Sequence, residues 1–256
     1  MLEKLQSPSY PVSADKHRRS VEIVSRTDLS PSVCDYRLRV RDGTPFSWAP
    51  GQYVELFAPS APDDALPYSI ASAPDPARPG ELELAVGNGS GRELLAALPV
   101  GSELQMSGPY GQLLWPAPMS LVSALASTGR GALMIGAGTG VAPLRALLQA
   151  TLRDGRAEPV ILLSGFRSEG DVLWRAEFEE LARDNPRFSY ALTLSQPAPS
   201  WRGLRGRVQK HAVELARELS QPTVFLCGSL AMVAEVRGLL EKQASVPARD
   251  IFAEGY

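Results

Sequence analysis

From Arg19 to Trp115, apolar and polar residues alternate in short runs. Cys34, Tyr36, Leu38 and Val40 are interleaved with Asp35, Arg37 and Arg39, the period of two that sends successive side chains to opposite faces of a half-buried strand. Turn-forming clusters at Asp42-Gly43, Ala49-Pro50-Gly51, Pro62-Asp63-Asp64 and Pro79-Gly80 separate the runs. The pattern predicts strands over 21–25, 35–40, 53–57, 68–72, 82–86 and 103–107, with one short helix over 93–98. Six short strands joined by tight turns predict an antiparallel, barrel-like sheet.

After Leu121 the period changes. Apolar runs at 132–135, 160–163, 190–194 and 223–226 alternate with segments of helical periodicity, as in a parallel sheet covered by helices. Leu144, Leu147, Leu148 and Leu152 form one helical stripe after Pro143, and Met232, Val233, Val236, Leu239 and Leu240 form another after Ser229. The Pro-, Ser- and Gly-rich stretch 116–131 reads as a linker. The expected architecture is a loose polar arm over 1–19, an antiparallel six-stranded β-barrel domain over 20–118, and an α/β domain with a parallel sheet over 119–256.

Composition agrees with two ordinary domains, since 256 residues with 44% hydrophobic and 21% charged positions can bury two normal cores. The 26 Lys/Arg and 28 Asp/Glu balance to −2, and the halves 1–120 (10 against 14) and 121–256 (16 against 14) are both too near neutrality to suggest nucleic acid. No apolar run approaches the roughly 18 residues of a membrane span, and residues 1–19 lack the apolar core of a secretory signal. A cytoplasmic protein without a membrane anchor is expected. Two cysteines, Cys34 and Cys227, and two histidines, His17 and His211, cannot complete a four-cysteine iron–sulfur site or a Cys/His zinc site. No metal site is expected, and both thiols should be free.

Several segments carry candidate chemistry. Gly136-Ala137-Gly138-Thr139-Gly140-Val141-Ala142-Pro143 follows an apolar strand and opens a helix. Its glycines would let backbone approach a pyrophosphate, and the helix N-terminus would attract the anion; a purely structural tight turn is the other reading. Gly89-Ser90-Gly91-Arg92 precedes a short helix with Ser90 and Glu93 spaced as a capping box, and the same residues would suit a diphosphate. Tyr68 and Ser69 fall on opposite faces of a strand, Tyr68 as a barrel-core aromatic or as the cover of a flat ring. The sequence ends Ala253-Glu254-Gly255-Tyr256, placing an aromatic ring where it could form a lid. Arg202, Arg205, Arg207 and Lys210 concentrate positive charge, either as a solvated face or towards a small phosphate.

The order of these pieces says more than any one of them. Pro67-Tyr68-Ser69-Ile70-Ala71-Ser72, the Gly89-Ser90-Gly91 turn, Gly108-Pro109-Tyr110-Gly111, the Gly138-Thr139-Gly140 turn, Cys227-Gly228-Ser229 and the terminal Glu254-Gly255-Tyr256 together resemble the ferredoxin–NADP reductase superfamily. The resemblance implies a flavin-binding barrel followed by an NAD(P)-binding domain, with the two rings meeting between them. It implies that Tyr68 packs on the isoalloxazine, that Ser69 reaches its N5 region, and that Gly89, Ser90, Gly91 and Arg92 hold the flavin phosphates. Gly138, Thr139 and Gly140 would hold the nucleotide pyrophosphate. Ser69, Cys227, Glu254 and Tyr256 would form the catalytic set, with Tyr256 stacking on the flavin and moving aside for nicotinamide. For Cys227 a buried structural thiol is the alternative, as is a pKa lowered by the adjacent helix start.

Two departures bear on cofactor choice. Superfamily members commonly have Arg two residues before the Tyr-Ser pair to hold a flavin phosphate, and here that residue is Leu66. FAD is expected over FMN, with loose retention. Ser195 matches a position near the adenosine 2′-phosphate but is followed by Gln196 rather than Arg, whereas Arg167 and Arg207 resemble phosphate-binding arginines; together they favour NADPH over NADH. The expected activity is a monomeric reductase passing single electrons to a separate ferredoxin, flavodoxin or iron–sulfur oxygenase component. The alternatives are reduction of free flavin and a noncatalytic nucleotide-binding subunit.

Overall fold

The computed structural model describes residues 17–43, 45–116, 130–154 and 158–256. Most of the expected arm and most of the expected linker lie outside them, and Arg19 already belongs to the first strand. The first half contains β1 (Arg19–Ser30), β2 (Val33–Val40), β3 (Tyr53–Ala58), β4 (Ala61–Ser69), β5 (Glu81–Gly87), α1 (Ser90–Ala96) and β6 (Glu103–Tyr110). All five strand pairings are antiparallel, in the order β4-β3-β6-β1-β2-β5. An antiparallel bridge between Ile70 and Leu84 joins the two edges and closes the barrel. Ile23, Leu38, Val54, Leu56, Leu84 and Met106 fill its interior.

One expected turn is a strand. Pro62, Asp63 and Asp64 lie in β4, and the chain reverses just before it, between Ala58 and Ala61, which are cross-strand partners. β4 is an edge strand with 61–65 mostly exposed, so proline and paired aspartates cost no ladder bonds and meet water. The strand accordingly ends at Ser69 rather than 72.

The second half contains β7 (Ala132–Ala137), α2 (Val141–Arg153), β8 (Val160–Phe166), α3 (Arg175–Asp184), β9 (Phe188–Leu194), β10 (Leu204–Arg205), α4 (Gln209–Arg217), β11 (Thr223–Gly228), α5 (Leu230–Gln243) and β12 (Ile251–Gly255). Its sheet is wholly parallel, in the order β10-β9-β8-β7-β11-β12. Met134 faces a core shared with α2 and α3, while Leu133 and Ile135 face α4 and α5, so both sheet faces are covered, which explains the uninterrupted apolar runs. The predicted helical stripes bury Leu144, Leu147, Leu148, Met232, Val236 and Leu240, with Leu152 and Val233 half-buried against the cores, while Leu239 packs against neither. The first of these cores also takes in Ala71, Ala85 and Leu113 from the barrel half, so the domains meet across packed apolar side chains.

Candidate functional site

The strand order reverses between β7 and β11. In a parallel sheet the carboxyl ends of strands flanking such a reversal leave a crevice for a ligand. Gly138–Gly140 forms one 3₁₀ turn there and leads into α2, whose first N–H groups lack partners within the helix. Gly140 is required by contact, because a side chain there would collide with the Cys227 carbonyl. Across the crevice Ser229 caps α5 by accepting a hydrogen bond from the Met232 N–H at 3.3 Å.

Parallel register lines up Gly136, Cys227 and Glu254 on β7, β11 and β12. The terminal residue is held rather than frayed: its N–H donates to Gly228 O at 3.1 Å, and its carbonyl accepts from Leu230 N–H at 3.2 Å. The Tyr256 hydroxyl lies 2.9 Å from Thr139 Oγ1 and 3.4 Å from Ala137 O, while the residue stays 61% exposed. Thus the pyrophosphate-type turn and the terminal ring are tied together. Cys227 is fully buried, and burial pushes its thiol well above the ordinary range. The nearby helix start does not lower it: desolvation leads the upward shift, with the Glu254 charge adding to it.

Glu254 carries a perturbed carboxyl group. Its Oε2 is buried without a hydrogen-bond partner, and burial raises its pKa to about 7. It faces the barrel half: a side-chain carbon at Gly111 would come within 3.2 Å of Oε2 and 3.1 Å of the Tyr53 ring. Tyr53 is the cross-strand partner of both Ser69 and Tyr110, so all three side chains share one sheet face, and the two tyrosine rings stand 5.6 Å apart. A row from Ser69 through Tyr53 to Tyr110 therefore leads towards Glu254.

The end of β5, two residues before the second glycine turn, also reaches the crevice, since a side chain at Gly87 would meet the Thr139 methyl at 3.2 Å. Gly89 is the N-cap of α1 at φ 144°, a conformation closed to ordinary side chains. The expected capping box is absent because the cap falls on this residue, which has no side chain to offer. Tyr68 packs against the barrel core with its hydroxyl over Gly91, and burial raises its pKa to about 12. Arg92 is engaged by Asn88 Oδ1 at 2.6 Å and Pro31 O at 3.3 Å. Leu66 lies against the core beside Gly91 and supplies no charge.

At the far side of the parallel sheet, Arg167, Ser195 and Arg207 are exposed beyond β8, β9 and β10. Backbone bonds join Ser195 N to Phe166 O at 3.0 Å and Gly206 N to Leu194 O at 2.8 Å, bringing the three segments together. Arg167 Nε donates to Gln196 Oε1 at 2.9 Å. Arg205 instead braces its own loop through the carbonyls of Ala198, Pro199 and Trp201.

Residues 20–115 match the oxidoreductase FAD-binding domain, and residues 134–238 match the oxidoreductase NAD-binding domain. A ferredoxin–NADP reductase B of Sorangium cellulosum (strain So ce56) is 38% identical over 246 residues, covering 91% of this chain and 96% of that protein. The chain belongs to the ferredoxin–NADP reductase family. The ferredoxin–NAD(P)+ reductase component of a Pseudomonas putida naphthalene 1,2-dioxygenase system is 28% identical over 233 residues, 89% of this chain but 66% of that one. Among solved structures, the Amycolatopsis cytochrome P450 reductase GcoB superposes with a TM-score of 0.80 at 25% identity, over 93% of this chain and 69% of that one. The Plasmodium falciparum ferredoxin–NADP+ reductase shares the fold at a TM-score of 0.76 and 16% identity, over 94% of this chain and 97% of that one.

This family member is thus a flavin oxidoreductase with FAD- and NAD(P)-binding domains. The site fits both groups on its own geometry: one glycine turn and the strand end leading into the other meet at one crevice, an orphaned carboxylate oxygen faces it, and an anchored aromatic ring borders it. Sequence reasoning missed Tyr53, which has no motif of its own and enters only through strand register.

Proposed function

We propose that this chain takes hydride from NADPH onto bound FAD and delivers the electrons singly to a separate ferredoxin, flavodoxin or iron–sulfur oxygenase component. The observation that carries this reading is the convergence of Thr139, Cys227, Glu254 and Tyr256 with the Ser69–Tyr53–Tyr110 row at one crevice. When bound, the flavin accepts the hydride as an electron pair and releases electrons one at a time. The chain's own work is to hold two rings in contact and exclude water. Tyr68 flanks the flavin ring, Ser69 reaches towards N5, and the backbone of Gly89, Ser90 and Gly91, with Arg92, holds the flavin phosphates. Gly138, Thr139 and Gly140 hold the nucleotide pyrophosphate, and Cys227 contributes a neutral thiol beside the nicotinamide. Glu254, half-protonated near neutrality, keeps charge low there. Tyr256 occupies the nicotinamide position and swings aside by breaking the bond to Thr139.

NADPH is favoured over NADH by Arg167 and Arg207, which flank exposed Ser195 and suit a dianionic phosphate. Cys34 and Cys227 are both buried and too few to ligate an iron–sulfur cluster, so the single-electron acceptor lies outside these 256 residues. The described residues contain no helix long and apolar enough to cross a membrane, and the free thiols suit the cytoplasm. The division at 118/119 and a monomeric state belong to the same proposal. Purification with identification of the released flavin, followed by electron transfer from NADPH to a ferredoxin, tests it. Bound FAD and ferredoxin reduction are expected; a colourless protein that reduces only added flavin would replace this reading with free-flavin reduction.

A further inference from the structure

α2 begins at the nucleotide turn, and one of its sides faces the barrel. Arg145, Gln149 and Arg153 recur there at intervals of four residues, which places them in line on that side. Arg145 is only 9% exposed. Its Nη1 donates to Ala71 O at 2.9 Å and to Glu83 Oε2 at 2.7 Å, both on the barrel half, and its Nε donates to both Glu177 oxygens at 2.9 Å on α3. The guanidinium also lies 4.9 Å over the Trp174 ring. Gln149 Oε1 accepts from Ala73 N–H at 3.1 Å, and Arg153 Nη1 donates to Pro74 O at 2.6 Å.

Every barrel contact in this set falls on the segment that follows Tyr68 and Ser69, or on β5. That segment is itself locked to β5, with Ala71 N–H donating to Glu83 O at 2.7 Å and Glu83 N–H to Ser72 Oγ at 3.0 Å. Glu83 is also held by Arg37 at 2.8 Å. One buried guanidinium therefore joins the helix that opens at the nucleotide turn to the strand end that flanks the flavin. We propose that Arg145 is a positioning residue that sets the separation of the nicotinamide and flavin rings, without contributing to the affinity of either. This deepens the hydride-transfer reading and rests on it. The two rings are carried by different domains, and a misplacement of about 1 Å can cost roughly 100-fold in rate.

The test compares Arg145→Gln, Arg145→Lys and Glu177→Gln in the flavin-loaded protein. Glu177→Gln removes the charge at the α3 end of the network and one of the two acceptors of Arg145 Nε, touches the Gln149 Nε2 bond to Glu177, and leaves the Arg145 bonds to Ala71 and Glu83. Arg145→Gln is expected to keep FAD and NADPH dissociation constants within about threefold, while the flavin-reduction rate at saturating NADPH falls roughly 10- to 100-fold and long-wavelength charge-transfer absorption weakens. Arg145→Lys should recover part of the rate, since an ammonium reaches one carboxylate but not the full set. Glu177→Gln should lower thermal stability yet reduce at the wild-type rate. Independently of bound flavin, hydrogen exchange at the Ala71 and Ala73 amides should accelerate in Arg145→Gln and not in Glu177→Gln. Wild-type reduction by Arg145→Gln, or equal rate losses in Arg145→Gln and Glu177→Gln, would overturn the proposal. If Arg145→Gln fails to fold, Arg145→Lys decides the matter by its rate and exchange. Wild-type protein that NADPH does not bleach would instead defeat the functional reading, leaving the exchange result to stand alone.

Discussion

The two walls of the crevice each present a glycine turn at a helix start, yet they are built differently. On the α/β wall, Gly140 is wedged against the Cys227 backbone at the start of a 13-residue helix, and Tyr256 is tied to the same turn through Thr139. On the barrel wall, Gly89 has open space around it and leads a seven-residue helix whose Arg92 is braced by Asn88 and Pro31 through Nη1. The first wall takes its shape from the ends of a parallel sheet. The second depends on an edge strand, a short helix and one leucine where a cation would serve a phosphate. The wall proposed for the nucleotide is thus braced by backbone contact, whereas the wall proposed for the flavin relies on Arg92 for its charge.

Gly140→Ala should break the stronger wall. Its new methyl must displace the Cys227 backbone, so a loss of about 3 kcal/mol or more in chemical unfolding is expected, together with loss of nucleotide-driven flavin reduction. Stability equal to wild type would mean that the wedge is loose. Arg167→Ala with Arg207→Ala should raise the KM for NADPH by about 2 to 3 kcal/mol equivalent, roughly 30- to 150-fold, with little change for NADH. Equal changes for both nucleotides would remove these arginines from the phosphate site.

Glu254 links the walls and gives a pH signature. Burial raises its pKa from 4.5 to about 7, so the folded chain holds a proton that the unfolded chain releases. The benefit is complete below pH 4.5 and is lost as pH rises through about 7. Glu254→Gln should therefore flatten the stability profile between those limits, a relative gain of about 3 kcal/mol at alkaline pH; denaturant titrations across the range would show it, and an unchanged slope would contradict it. The smallest effect concerns the weaker wall. Leu66 sits beside Gly91, so Leu66→Arg should bring a guanidinium to the start of α1 and tighten FAD binding by about 1.5 kcal/mol, roughly tenfold. Calorimetric titration of flavin-free protein would reveal unchanged affinity if phosphate does not bind there.

Much of this architecture can be read from residue patterns. Period-two runs located the barrel strands, and uninterrupted apolar runs located β7, β8, β9 and β11. β4 was read short because proline and aspartates mark a turn locally, whereas an edge strand accepts them. β10 and β12 lacked an apolar run: β10 has two residues, and β12 ends in Glu254-Gly255 because it borders the crevice. Arg145 was invisible as a buried group, since one arginine between Leu144 and Leu147 looks like a helix position facing water. Its partners come from Ala71, Glu83 and Glu177, brought to it only by the packing of three separate segments.

The most direct measurement is the first turnover of flavin-loaded protein mixed without oxygen with NADPH deuterated on one or the other face of nicotinamide C4. If the two walls form one hydride-transfer site, the flavin bleaches, and one labelled face alone slows it. Flavin that stays oxidised, or bleaches at a rate neither label changes, would contradict direct transfer across this crevice.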